Sequence, residues 1–462
     1  MGGERKRISQ TPRRPATSPS PAGGRRLAGR GLAAVGAGLV LCSWIAVPAR
    51  AGEVSQVAAA TPALTLAEVV TRALAADPGA ASAQGDLRVA EAARRSAKGA
   101  FAPDLTLSSG AALSGEIAGG SLARGGTRES YSAGLSSGYE LYSGGRRGAE
   151  LELSRAGVDA SLAGLVQRRS AVALAAKQAF FRVLRDNELI RVTAARLERA
   201  RQGLAAAESR VRVGSATRSD VLRAQLELNQ ARQATLSAEA ERTTADYALG
   251  RIAGIDGPVT ARAEPLTAAR EPSPPIAALE APAELASPAV RRAENALRSA
   301  TLAITAARAD YRPVIRAAAG TGWSSTGLAD GGNGNWSVQT ALSLPLFDGH
   351  QRSSAVERAE ANRATAEAEL ADIRRATRAE LARILAAISV ADQKIVLAEQ
   401  ALAVAQEDLR VQYQRYELGV STILDRLTSQ AALVVAETDL VGARFDFELA
   451  RAELDALLGK EM

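Results

Sequence analysis

The chain has 462 residues, 47% hydrophobic but only 3% aromatic, with a formal net charge of +7. So few large rings exclude one big globular core, and the alanine and arginine content favours long helices meeting through small side chains. The charge does not signal nucleic acid: residues 1 to 51 hold nine Lys or Arg and one acid, which leaves 48 basic against 49 acidic side chains elsewhere.

Residues 1 to 51 read as a signal peptide, with a basic stretch, an apolar run over 31 to 47 and Ala49-Arg50-Ala51 as a small-x-small cleavage pattern. Cys42, the only cysteine, lies inside that run and leaves with it. Leu41 stands before it where lipoprotein processing takes a small residue, so removal is favoured over lipidation. The mature chain then has no thiol and one histidine, His350, which offers no metal cluster, no cofactor site and no nucleophile–base pair. It reads as a non-enzyme.

After an N-terminal segment, 52 to 63, the first repeat spans 64 to 254. Residues 64 to 102 are helical, opened by Thr65-Leu-Ala-Glu68 at capping-box spacing and broken at Pro78. A strand over about 104 to 115 follows, with Leu105, Leu107, Ala111 and Leu113 on one face and Thr106, Ser108, Gly110 and Ser114 on the other. A loop through Gly119, Gly120, Gly125 and Gly126 leads to a second strand, about 130 to 142. There Tyr131, Ala133, Leu135, Tyr139 and Leu141 oppose Ser132, Gly134, Ser136, Gly138 and Glu140. Runs of roughly ten residues suit tilted strands crossing a bilayer, and Tyr131, Tyr139 and Tyr142 near the run ends suit its interfaces. The alternative, a hairpin laid on a soluble core, lacks a core to lie on.

No proline interrupts the chain between Pro103 and Pro258, and apolar residues recur every seven positions at Val183, Ile190, Leu197, Leu204 and Val211. A helical hairpin over 146 to 254 results, its first arm ~100 Å long at 1.5 Å per residue. Seven prolines over 255 to 288 make a linker without regular pattern.

The second repeat, 289 to 459, returns the same order. Its strands fall at about 314 to 323 and 335 to 347, the latter with Trp336, Val338, Thr340, Leu342, Leu344 and Leu346 on one face. Trp323 and Trp336 flank the loop, and a hairpin over 351 to 459 closes the copy. Leu346-Phe-Asp-Gly-His-Gln-Arg352 echoes Leu141-Tyr-Ser-Gly-Gly-Arg-Arg147 at an offset of 205. The stripe repeats as Ile388, Ile395, Leu402, Leu409 and Tyr416. At the hairpin tips, Gly214/Gly419, Thr217/Thr422, Asp220/Asp425, Leu222/Leu427 and Gln225/Gln430 are identical at that same offset.

Four amphipathic strands cannot close a barrel, and open edges in lipid cost several kcal/mol for each unpaired group. A homotrimer pools ~12 strands, within the range of membrane barrels. The expected fold is therefore mainly α with a β-barrel part. Helical hairpins from two tandem repeats form a trimeric α-barrel continuous with a 12-stranded transmembrane β-barrel in a lipid bilayer.

With this duplication, the Pro-bounded strand pairs, the two junction motifs and the two Gly-x-x-Thr-x-x-Asp tips, the mature chain resembles the TolC family of outer-membrane efflux and secretion channels. The resemblance implies a passive conduit of a tripartite efflux or type I secretion system, with a helical tunnel in the periplasm. Its partners would be a periplasmic adaptor and an inner-membrane pump, and an equatorial belt would surround the Pro-rich linker. Val213, Gly214, Ser215, Leu418, Gly419 and Val420 match the turns where adaptors dock. Asp220, Asp425 and Tyr416 match pore and gate positions, while Ser421 replaces an arginine that latches the gate in one relative. Thr217-x-x-Asp220 and Thr422-x-x-Asp425 are equally capping boxes, and Gly214 and Gly419 equally helix terminators. A coiled-coil scaffold of the periplasm or cell surface, without a pore, is the competing function.

Overall fold

The computed structural model describes residues 61–115, 117–118, 121–122, 128–262, 276–327 and 331–460, which belong to one compact unit. The leader with Cys42, the four loop glycines from 119 to 126 and residues 263–275 of the linker lie outside the described residues. β1 (Ala63–Leu64) and α1 (Leu66–Ala76) lead to α2 (Pro78–Gly99). Next come β2 (Asp104–Ser114), β3 (Ile117–Ala118), β4 (Ser121–Leu122), β5 (Arg128–Tyr142), α3 (Arg146–Arg212) and α4 (Arg218–Ile252). β6 (Thr260–Ala261) and α5 (Ile276–Ala286) cross to the second copy. That copy comprises α6 (Pro288–Ala309), β7 (Val314–Ser325), β8 (Asn333–Ser343), α7 (Gln351–Glu417) and α8 (Ile423–Leu457).

α3 and α7 are 67 residues each, and α4 and α8 are 35 each. Each long helix therefore needs two partners along its length. α4 and α8 pair with the tip-side halves of α3 and α7, while α2 and α6 cover the strand-side halves. Contact is made mostly by alanine, at Ala200, Ala207, Ala224 and Ala231 in the first hairpin. Small residues let the axes approach closely, and the isolated hairpins gain little from apolar burial.

Large side chains collect at mid-height. Val69, Val70, Phe180, Val183, Leu249 and Val259 are almost fully buried where α1, α3, α4 and the linker meet, and Phe180 meets Phe181 edge-on at 5.9 Å. The parallel pair β1–β6 pins the start of the chain to the linker there, Ala63 opposite Thr260 and Leu64 opposite Ala261. A second cluster, Leu381, Ile384, Leu385 and Ile388 with Phe447, receives Ala283 of α5. The linker is thus partly regular: α5 forms with Pro282 inside it, at the loss of one backbone hydrogen bond.

The four long strands form one antiparallel sheet in the order β2-β5-β7-β8. Register sorts the faces. Thr106, Ser136, Gly320 and Ser337 fall in one row and Ser108, Gly134, Gly322 and Asn335 in the next, all on the small polar face. Leu107, Leu135, Thr321 and Trp336 share a row on the other, where Leu105, Leu113, Val338 and Leu342 are also exposed. Glu140, on the polar face, binds Arg316 at 2.7 Å and Arg146 at 3.1 Å, joining both strand pairs to the first turn of α3. Among the described residues, no helix is long and apolar enough to cross a membrane.

Two details depart from simple alternation. The register shifts between Glu140 and Tyr142, so Tyr142 pairs with Ile315 and joins the apolar face. β8 ends at Ser343, short of 347, because Pro345 has no N–H to extend the ladder; Leu346 and Phe347 lie exposed beyond it.

Each strand-to-helix junction is closed by an arginine at the same repeat position. Arg147 donates to Ser143 Oγ at 3.2 Å and to the Ala100 carbonyl at 3.1 Å, and its guanidinium lies over Phe101 and Tyr139 at 5.1 and 5.2 Å. Arg352 binds Asp348 at 2.7 Å and lies 4.8 Å over Tyr311. Gly144 precedes the first clamp with φ 64°, and a Cβ there would meet the Ala309 carbonyl oxygen at 2.7 Å. Arg147→Met should lower unfolding stability by ~1–3 kcal/mol, because the half-buried bond to the Ala100 carbonyl is lost and two rings lose their cation. Arg147→Lys should recover less than half, since a point charge cannot span both acceptors. Denaturant unfolding of detergent-solubilised protein, followed by circular dichroism, measures both.

Candidate functional site at the helical tips

The tips are built twice by one device. α3 stops where Gly214 takes φ 73°, with Ser215 N–H donating to the Arg210 carbonyl at 2.9 Å and Gly214 N–H to that of Val211 at 3.1 Å. α7 stops likewise at Gly419, φ 75°, with Val420 donating to Arg415 at 3.0 Å and Gly419 to Tyr416 at 3.1 Å. This paired closure needs a left-handed residue, which glycine supplies without strain. A Cβ at Gly214 would meet nothing within 4 Å, so backbone conformation alone demands the glycine.

The return helices are capped reciprocally. Asp220 N–H donates to Thr217 Oγ1 at 3.3 Å while Asp220 Oδ2 accepts from Thr217 N–H at 2.9 Å; Thr422 and Asp425 repeat this at 3.2 and 2.9 Å. Asp425 Oδ2 also accepts from Thr422 Oγ1 at 2.8 Å and Ser421 Oγ at 3.0 Å. The Thr422 amide and these hydroxyls hold its carboxyl below the usual aspartate range. Copy one has Ala216 where Ser421 stands, so Asp220 lacks that third donor. Both aspartates are therefore engaged as caps.

Tyr416 does not project from the tip. It is 6% exposed, in a cluster with Ala207, Ala224 and Ile423, and lies between the guanidinium groups of Arg210 and Arg426, 4.4 and 4.9 Å from its ring centre. Arg210 of the first hairpin also donates to the Tyr416 carbonyl, satisfying a terminal acceptor of α7. Arg199 binds Glu437 at 2.9 Å further from the tip. The two hairpins of one chain are thus locked by arginines crossing between them. Outside this lock Val213, Leu418 and Val420 are 76%, 79% and 63% exposed, and Gly214, Ser215 and Gly419 are exposed beside them.

Sequence reasoning missed Arg210 and Arg426. Their signal lay where the repeats differ: Arg426 stands where copy one has Val221, and Gly203, where copy two has Asp408, leaves the space its guanidinium fills. At the sheet, Tyr131, Trp323 and Trp336 lie toward the loop end of the apolar face, and Tyr139 and Tyr142 toward its helix end. Tyr131 and Tyr139 are eight residues apart, ~26 Å along a strand.

A sequence profile described as Outer membrane efflux protein matches residues 69–255 and 282–460. Protein CyaE of Bordetella pertussis is 27% identical over 406 residues, covering 85% of this chain and 81% of CyaE. Outer membrane protein OprJ of Pseudomonas aeruginosa is 30% identical over 175 residues, 37% of this chain and 36% of OprJ. Among solved structures, CusC superposes with a TM-score of 0.77 at 20% identity, over 87% of this chain and 93% of CusC. The outer membrane protein VceC from Vibrio cholerae superposes at 0.73 and 20% identity, over 86% of this chain and 96% of VceC. At such identities these two likenesses show the fold. The family profile shows more: this chain belongs to the outer membrane efflux proteins, the TolC-like channels of the outer membrane.

Proposed function

We propose that three copies of this chain close into one passive conduit. Its twelve-stranded barrel crosses the outer membrane, and its helical tunnel meets a periplasmic adaptor fed by an inner-membrane pump. The observation carrying this reading is that equivalent positions of the two repeats differ in cover. Val192 on α3 is half-buried where the second repeat lies alongside, while its counterpart Leu397 on α7 is 64% exposed; Arg199 pairs with Glu437, while its counterpart Val404 is 70% exposed. On the short helices Glu437 and Ala452 of α8 are covered, and their counterparts Arg232 and Tyr247 of α4 are bare.

A contact of α7 with α4 of a second copy, built like α3 with α8 inside one chain, covers both bare faces. The same step sets β8 beside the neighbour's β2, as β5 lies beside β7, and removes the open edges. The apolar face then meets lipid, with Tyr131, Trp323 and Trp336 at one interface and Tyr139 and Tyr142 at the other, about the height of a barrel's apolar band. At the far end the exposed turns Val213–Ser215 and Leu418–Val420 suit the docking of adaptor hairpins. Asp220 and Asp425, repeated around three copies, give the entrance six carboxylates and a preference for cations.

In a Cys42→Ser background, Arg232→Cys with Val404→Cys should give a covalent trimer with a short bismaleimide in outer membranes. Arg199→Cys with Glu437→Cys should link only within one chain. A trimer without the first crosslink would move the seam elsewhere; a monomer throughout would remove the conduit itself.

Asp220→Asn with Asp425→Asn should shift the cation-to-anion permeability ratio toward one in planar bilayers. The cap has its own pH signature. The Asp425 carboxyl is depressed in the folded state, so its contribution is full above the unfolded value of about 4 and fades as pH falls through the folded one. Acid unfolding of Asp425→Asn should lack that loss. Unchanged permeability with an altered acid limb would leave these aspartates as caps alone.

A further inference from the structure

Next to the lock around Tyr416, α3, α7 and α8 enclose a cleft of about 500 Å³, lined among others by Arg199, Gly203, Arg410, Glu417, Arg426 and Gln430. That volume falls in the range of small-molecule sites. The cations along it are not equivalent. Arg199 is paired with Glu437 and Arg410 with Glu407, while the Glu417 carboxylate lies close enough to the Tyr413 hydroxyl to help raise its pKa. Arg426 is 4% exposed and has no carboxylate, carbonyl or hydroxyl partner among the described residues. Stacking on Tyr416 occupies one face of its guanidinium, and its Nε–H is buried without an acceptor. Gly203 gives it room, since a Cβ there would stand 2.6 Å from Arg426 Nη2. Gln430, 5% exposed one turn further along α8, has an amide nitrogen without an acceptor, and Arg199 Nε is a third buried donor left unpaired.

Three unsatisfied buried donors on one cleft, one of them a full charge, are costly, because each buried unpaired donor forfeits its solvation. The deficit has one sign. Arg210 on the other side of the Tyr416 ring adds positive potential and no acceptor. Burial already pulls the Arg426 guanidinium below its ordinary proton affinity, as the missing counter-ion requires. A planar carboxylate supplies what is lacking, with two acceptor oxygens for the arginine fork and further acceptors for a neighbouring amide.

We propose that this cleft is an anion-binding site for a small organic carboxylate, held by Arg426 and Gln430 between the two hairpins. An occupant bridging α3 to α8 would strengthen the same lock that the arginines make. The test is calorimetric titration of the purified full-length protein with citrate in a buffer free of other multivalent anions, with thermal unfolding as a second readout. Wild type should bind saturably and gain thermal stability. Arg426→Met should bind at least tenfold more weakly, and Gln430→Leu several-fold more weakly. Arg426→Lys, which keeps the charge without the fork, covers the case in which the methionine variant misfolds, and should fall between wild type and Arg426→Met with helicity retained. Absence of saturable binding to wild type, or equal binding by wild type, Arg426→Lys and Gln430→Leu, would overturn the proposal.

Discussion

Backbone groups at a sheet edge need partners wherever water is absent, and this chain carries two such edges, one on β2 and one on β8. Its helices carry the matching deficit, with α7 and α4 each bare on one flank where α3 and α8 are covered. Both deficits follow from duplication. A repeat that binds its successor through unlike faces leaves one face of each kind over, however many repeats one chain contains, until the last meets the first.

Duplication fixed positions but not chemistry. Between the repeats of one chain the helices meet through an ion pair and a stacked guanidinium group, namely Arg199 with Glu437 and Arg210 with Tyr416. At the position equivalent to Arg199 α7 presents exposed Val404, with Val390 and Leu397 exposed at seven-residue steps before it. Apolar surface suits a contact formed between separately folded copies, because it needs no matched geometry until it is buried. Charge pairs suit a contact whose partners one chain delivers in register. The rods themselves hold little apolar area, so the fold of one chain stands on its mid-height cores.

The sequence made legible whatever depends on local periodicity or on comparison of the two copies. Strand faces followed from alternation, the long hairpins from the seven-residue stripe and missing proline, and the caps from Thr217-x-x-Asp220 and Thr422-x-x-Asp425. What escaped was set by neighbours distant in sequence. The bulge that turns Tyr142 to the apolar face arises from pairing with β7, and α5 keeps Pro282 because Ala283 is buried among α7 and α8. Tyr416 continues the stripe, which its buried place fits; only the fold reveals Arg210, 206 residues away, stacked on it.

That placement changes what movement at the tip would involve. A tyrosine lining an open pore would move freely, whereas this ring is clamped between arginines of both hairpins, and its hydroxyl has no partner of its own among the described residues. Sliding one hairpin past the other would break the Arg210 bond to the end of α7 and bare the buried Arg426 together. The first loss costs about as much as one charged hydrogen bond, and the second is favourable for the guanidinium, which regains water. These terms oppose one another, so the contact between the two hairpins is held less firmly than its number of arginine contacts suggests.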